Sequence, residues 1–278
     1  MTAVVTSRPA PRTRLRAPGG APGALLAILA GLFLGLPVVT LLVRATLALP
    51  TVGDEAVRAV LDALVLSLVT TAVSLAFVVG FGLPLAWWLA RRPPRGAALV
   101  ETLVDLPMVL PPSVAGLALL LVFGRRGLLG DELAFLGLSI PFTTLAVVLA
   151  QAFVSAPFFV RSARAGIWAV DHDLEDAARV DGATEVGVAR NVTIPLAASA
   201  LSAGLVMAWA RALGEFGATI MFAGNIAGRT QTLPLLVYSE FQNSLDASLV
   251  AAAILVVAAF GVLVAVRLRR VGDPDTPS

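Results

Sequence analysis

Two groups of residues in this chain are chemically conspicuous because nearly everything around them is apolar. The first is the polar island Glu175-Asp176-Ala177-Ala178-Arg179-Val180-Asp181-Gly182, which runs on to Val192-Thr193-Ile194-Pro195. The second is Arg211 and Glu215, four residues apart inside the apolar run Leu196 to Ala223. Neither has the parts of a catalytic centre. The chain has no cysteine, which removes disulfides, thiolate nucleophiles and cysteine-ligated metals. His172 is the sole histidine, so a histidine metal cluster or Ser-His machinery is not supplied, and no metal site is expected. All 20 basic residues are arginine, so no Walker A lysine exists here and any ATP hydrolysis belongs to another polypeptide. What remains is charge used for recognition: a small, acidic segment shaped to be gripped, and an arginine able to favour an anion.

Both groups must be positioned by a membrane protein. The chain is 58% hydrophobic and 14% charged, where a soluble domain carries charge on about a quarter of its residues. Apolar segments long enough to cross about 30 Å of hydrocarbon lie at Ala21 to Val43, Ala63 to Ala90, Leu106 to Phe123, Phe142 to Val160, Leu196 to Ala223 and Leu249 to Val266. The expected fold is therefore an all-α integral membrane protein of six transmembrane helices. With the N-terminus inside, the inner segments hold 14 arginines and the outer segments five, so the positive-inside rule places both termini and the polar island in the cytoplasm. The arginines are scattered along membrane edges rather than gathered on one face, which argues against nucleic acid.

The expected organisation is a disordered cytoplasmic tail over 1–20, a first helix and outer loop over 21–56, a transmembrane domain over 57–266 and a polar tail over 267–278. A cleaved signal peptide ending near Ala45 to Ala48 is the alternative for the first apolar run. No internal repeat is evident, which weighs against a secondary transporter built of duplicated halves.

Within the island, Asp173 is expected to cap a short helix from Leu174 to Asp181. Asp176 would stand at its third position as a variant capping box, with Gly182 as its stop. Ala177 and Ala178 leave one part of that helix without bulk, so another protein's groove could approach closely. Pro195 is placed to start the fifth span at a fixed angle. In that span Ala208, Arg211, Glu215 and Thr219 recur at intervals of three and four, which predicts one helix face. Arg211 and Glu215 either form a buried ion pair that fixes packing or give an anion path positive potential. Pro111 and Pro112, with Pro107, crowd the third span, and either a gate or a static kink accounts for them. Gly80, Gly82 and Gly204 read as packing residues, and Trp87, Trp88 and Trp168 as interfacial anchors.

Acid-Ala-Ala, three residues, Gly, nine residues and then aliphatic-X-aliphatic-Pro resembles the cytoplasmic EAA loop of permease subunits in binding-protein-dependent ABC importers of the type I, MetI-like family. Asp176 stands for the family's Glu, Val192 for Ile and Ile194 for Leu. The run from Ala210 to Pro234, with Gly214-Glu215-Phe216-Gly217 and Ala223-Gly224-Asn225, is similar to the molybdate permeases of that family, with Ala227 where relatives usually have proline. Sulfate permeases share the Gly-Glu-aromatic-Gly core. The resemblance implies a type I importer fold in which Glu175, Asp176, Ala177, Ala178, Gly182 and Pro195 engage an ATPase through a coupling helix. It also implies a translocation path near Arg211, Glu215, Thr219, Pro111 and Pro112, and docking of a binding protein near Asn225, Arg229 and Thr230. The implied partners are an ATP-binding cassette subunit that holds ATP and Mg, an extracytoplasmic binding protein and a second, identical permease subunit, with no cofactor in this chain. Sulfate, tungstate and thiosulfate are the alternative substrates, and a stand-alone channel or secondary transporter is the alternative class.

Overall fold

The computed structural model describes residues 21–91 and 95–271, and every regular element among them is helical. The tail expected over 1–20 lies outside the described residues, as do residues 272–278 of the tail expected over 267–278, whose first residues, 267–271, are the end of a helix. In chain order the helices are α1 (Ala21–Ala48), α2 (Asp54–Arg91), α3 (Ala97–Val109), α4 (Pro112–Phe123), α5 (Gly130–Phe135), α6 (Thr144–Trp168) and α7 (His172–Val180). They continue as α8 (Glu185–Val188), α9 (Ile194–Leu196), α10 (Ala198–Leu213), α11 (Gly217–Phe222), α12 (Leu233–Asn243) and α13 (Leu245–Val271). Among the described residues four helices are long and apolar enough to cross a bilayer, and two bent pairs bring the number to six when each counts as one span.

At the centre α6 lies against α2 and α10, burying Val78, Ala86, Phe159, Val160, Ala163, Ile167 and Ala208. Close approach follows from small side chains. A Cβ on Gly82 would stand 3.0 Å from Val160, and one on Gly204 would stand 2.7 Å from Ser162. Gly80, grouped with them on sequence, has nothing within 4 Å and makes no such contact. Lipid offers helices no hydrophobic incentive to associate, so small residues and buried polar groups carry more of the packing. The Ser74 hydroxyl donates to the Val148 carbonyl at 2.9 Å and lies 3.1 Å from the Gln151 amide oxygen, and the Ser67 hydroxyl accepts from the Leu233 amide at 2.7 Å.

Two expected spans are not continuous helices. The third, read as Leu106 to Phe123, is the pair α3 and α4, bent by 118°. The residue before a proline is driven to extended backbone, and here two prolines follow one another. Leu110 (ψ 135°) and Pro111 (ψ 136°) are accordingly extended, and Pro112 opens α4, where its missing N–H is harmless. The fifth, read as Leu196 to Ala223, begins earlier, with residues from Glu185 bent by 73° against α10 at Ala197, and its helix ends at Leu213. Gly214, Glu215 and Phe216 form a corner before α11, so Ala208, Arg211, Glu215 and Thr219 do not share one helix face. The helix α12, whose Leu233, Pro234, Leu235 and Leu236 are buried, lies where sequence reading gave only an outer loop.

The two breaks meet. A Cβ on Gly217 would fall 2.6 Å from Pro112, and one on Gly116 would fall 2.6 Å from the Ala218 carbonyl and 2.7 Å from Met221 Cβ. Gly116→Val should therefore overpack the α4–α11 contact and lower stability by about 1–3 kcal/mol, read as a lower unfolding temperature of the purified protein in detergent. Gly80→Ala, with open space around it, should leave that temperature within the change expected of about 0.5 kcal/mol or less.

Candidate functional site: the α7 handle and the helix-break junction

The island folds into a capped helical corner. Asp171, rather than the expected Asp173, caps α7: its carboxylate accepts from the Asp173 amide at 3.0 Å. Asp176 makes no capping box; it pairs with Arg179 Nη1 at 2.7 Å, one turn on. The C-terminus closes as sequence reading had it. Gly182 takes a left-handed φ of 90°, the Ala183 amide donates to the Ala178 carbonyl at 3.0 Å, and the Gly182 amide donates to the Arg179 carbonyl at 3.0 Å. That pair of bonds is a Schellman closure, which needs a residue without a Cβ penalty. Thr184 then caps α8, accepting from the Gly187 amide at 3.2 Å. Arg179 forks onto Glu185 at 2.9 and 3.2 Å, binding α7 to α8. The hydrogen bond to Glu185 is the largest influence raising the Arg179 pKa above its ordinary value; desolvation opposes it and Asp176 adds to it.

Glu175 points inward, with its side chain 2% exposed. One oxygen accepts from Arg91 Nη2 at 2.8 Å and from the Thr193 hydroxyl at 2.6 Å, while the other faces His172 Nδ1 at 3.6 Å. Arg91 also donates to the Val170 carbonyl at 3.1 Å, and its Nη1 lies 3.1 Å from His172 Nε2. Removing one partner of such a buried pair strands the other charge and typically costs about 3–5 kcal/mol. Glu175 therefore holds the corner from within instead of meeting a partner protein. The outward surface is Asp176, Ala177, Val180 and Val186, with Val180 87% and Val186 75% exposed. Beyond α8 the backbone passes through a π-helical turn, Ala189–Thr193, and the exposed Pro195 lies two residues before the bend at Ala197.

At the junction of the two breaks, Arg211 and Glu215 form an ion pair with Glu215 fully enclosed. The second Glu215 oxygen accepts from the Ala218 amide at 2.7 Å, so this carboxylate also caps α11. Arg211 keeps 28% of its side chain exposed. Thr219 is buried, and its hydroxyl has no hydrogen-bond partner among the described residues. The structure thus gathers Arg211, Glu215, Pro111 and Pro112 at facing breaks, with Thr219 on the short helix that follows.

At the opposite end from α7, Asn225 donates to the Ser239 hydroxyl at 2.6 Å, and the Thr230 hydroxyl accepts from the Ile226 amide at 2.9 Å. Thr230 is buried and acts as an internal staple, whereas Arg229 is exposed. Sequence reading missed the neighbouring cleft of about 730 Å³ bordered by Glu55, Arg58, Asp62, Ala227, Gly228 and Gln231. Its charged members stand on α2 far from that loop in sequence, so no local pattern joins them. Among the described residues no group of His, Asp and Glu side chains is arranged to hold a metal.

Residues 82–274 match the family described as binding-protein-dependent transport system inner membrane component. The chain belongs to that family. The match takes in the α7 corner and both helix breaks. The molybdenum transport system permease protein of Mycobacterium tuberculosis is 44% identical over 77% of this chain and 81% of its own length. That of Escherichia coli K12 is 42% identical over 66% and 80%, and a probable transport system permease of Clostridium pasteurianum is 39% identical over 74% and 72%. Among solved structures, a bacterial ABC transporter involved in alginate import superposes with a TM-score of 0.70 at 18% identity, covering 91% of this chain and 95% of that one. The MetNI methionine ABC transporter superposes at 0.61 and 19%, covering 79% and 99%. The architecture is that of the type I ABC importer permease, and the protein is an inner-membrane transport component.

Any side chain at Gly182 must adopt a left-handed backbone, at about 1–2 kcal/mol, and aspartate adds charge beside Asp181. Gly182→Asp should abolish ATP-driven transport in membrane vesicles while leaving the amount of chain inserted in the membrane unchanged. Normal transport by this variant would contradict the role given to the corner.

Proposed function

We propose that this chain is the membrane-spanning subunit of an ATP-driven importer for molybdate, working as a pair of identical copies. The observation that carries the proposal is the α7 corner, a rigid outward knob of Asp176, Ala177 and Val180 whose own carboxylate, Glu175, is spent internally to hold it. A separate ATPase subunit, with ATP and Mg bound there and no cofactor in this chain, grips the knob from the cytoplasm. Closure of the ATPase pair draws the two knobs together and switches the bundle between inward and outward access. Both termini lie in the cytoplasm, in keeping with the arginine asymmetry.

Molybdate as substrate is supported by the run from Ala210 to Pro234 and by relatives at 42–44% identity that carry molybdenum transport in their names. The physics of the junction agrees with an oxyanion. Arg211 is the partly exposed member of its pair, so it offers positive potential while Glu215 fixes its direction. An extracytoplasmic binding protein supplies affinity and docks at the end that carries Arg229 and the Glu55–Asp62 cleft, so the permease itself needs only a weak, transient site.

The test is reconstitution of the chain in liposomes with its ATPase and binding protein. Labelled molybdate should accumulate only with ATP and all three components, with unlabelled sulfate in excess competing poorly. Strong competition by sulfate would move the substrate to sulfate and keep the mechanism. Uptake by the chain alone would overturn the importer reading in favour of a stand-alone carrier.

A further inference from the structure

We infer that Arg91 is a positioning residue for energy coupling: by clamping Glu175 it locks the α7 handle to the end of α2, so that a displacement of the handle enters the bundle through α2 as well as through the chain's own continuation into α10. The inference deepens the proposed function and rests on the reading of α7 as the part that the ATPase grips.

By backbone alone, α7 is joined to the bundle at two places, the short link from α6 and the path through α8 and the π-helical turn to α10. The second path contains the bend at Ala197, a place where motion could be absorbed instead of passed on. The clamp bypasses it. Arg91 is the last residue of α2, its side chain is 7% exposed, and its guanidinium serves Glu175 and the Val170 carbonyl at once, with His172 beside it. The same Glu175 oxygen also accepts from Thr193, the final residue of the π-helical turn. One buried carboxylate therefore ties three elements: the end of α2, the handle and the entry to α10.

What α2 does with the load follows from its packing. It is joined to α6 through the close approach at Gly82 and the Ser74 bonds and also packs against α10, so the helix that receives the push touches both helices flanking the loop. A guanidinium suits this joint because its fixed fork satisfies several acceptors in one geometry. A lysine at the same place would bring the charge without the fork. Opening the clamp would leave a charge bare in a buried site, which keeps it shut as the handle moves.

The test uses the complete complex in liposomes and reads molybdate moved per ATP hydrolysed, a ratio that a purely structural contribution to yield or folding leaves unaltered. Arg91→Met should lower the ratio about fivefold or more, the range of ordinary coupling energies, with Arg91→Lys between it and the unmodified chain. The exchanged pair Arg91→Glu with Glu175→Arg should recover part of the loss. An unchanged ratio in Arg91→Met, whether or not both rates fall together, overturns the inference and leaves the importer reading standing. Should Arg91→Met fail to assemble, the ratio in Arg91→Lys decides by the same criterion. An unmodified complex that hydrolyses ATP yet accumulates neither molybdate nor sulfate would remove the importer reading, and this inference with it.

Discussion

A buried carboxylate held by an arginine sits at two of the places where this chain changes direction. Glu175 takes Arg91 and Thr193 where the α7 corner leads toward the bend at Ala197. Glu215 takes Arg211 and the Ala218 amide where α10 gives way to α11. In an apolar solvent an unpaired charge is costly, so each pair is held in one arrangement, and that arrangement fixes the angle at which two pieces of helix meet. The Glu175 pair joins the α7 corner to the end of α2, and Val170, just before the corner, is buried in the core of α2, α6 and α10.

The same solvent decides where irregular backbone is allowed. Exposed N–H and C=O groups find no partners in hydrocarbon, so a break in a helix must be covered by protein or line a wet cavity. Here the Leu110–Pro111 break and the Gly214–Phe216 corner cover each other, with Pro112 on Gly217 and Gly116 on Ala218. Glycine at both contacts lets the backbones approach to distances that any side chain would prevent. Two interruptions face one another here, one of them carrying the Arg211 pair.

Sequence reading recovered the features that local chemistry writes in adjacent residues. The polar island was legible because charge in an apolar chain is rare, and Gly182 because a helix stop needs a left-handed residue. The Arg211–Glu215 pair was legible from its four-residue spacing, and the pairing survives although the helix ends between them. The misplacements have a common cause. Asp171 and Asp173 are equivalent as caps in sequence, and the backbone at the end of α6 selects the first. The bend at Leu110–Pro111 was announced by its prolines, though not its size, whereas the bend at Ala197 and the end of α10 at Leu213 were hidden because apolar runs persist through them, and hydropathy registers composition rather than direction. The partnership of Glu175 with Arg91 spans 84 positions, and nothing near either residue announces the other.

The central claim is that the segment from α7 to α8 is a handle worked from the cytoplasm, and a natural absence of cysteine makes it directly measurable. A single cysteine placed at Val180, which is 87% exposed, can be probed with a membrane-impermeant maleimide in vesicles of either orientation. The account predicts labelling in inside-out vesicles only, and its suppression when the ATPase subunit is bound. Labelling from the outer face would put the handle beyond the reach of any cytoplasmic motor and contradict the account.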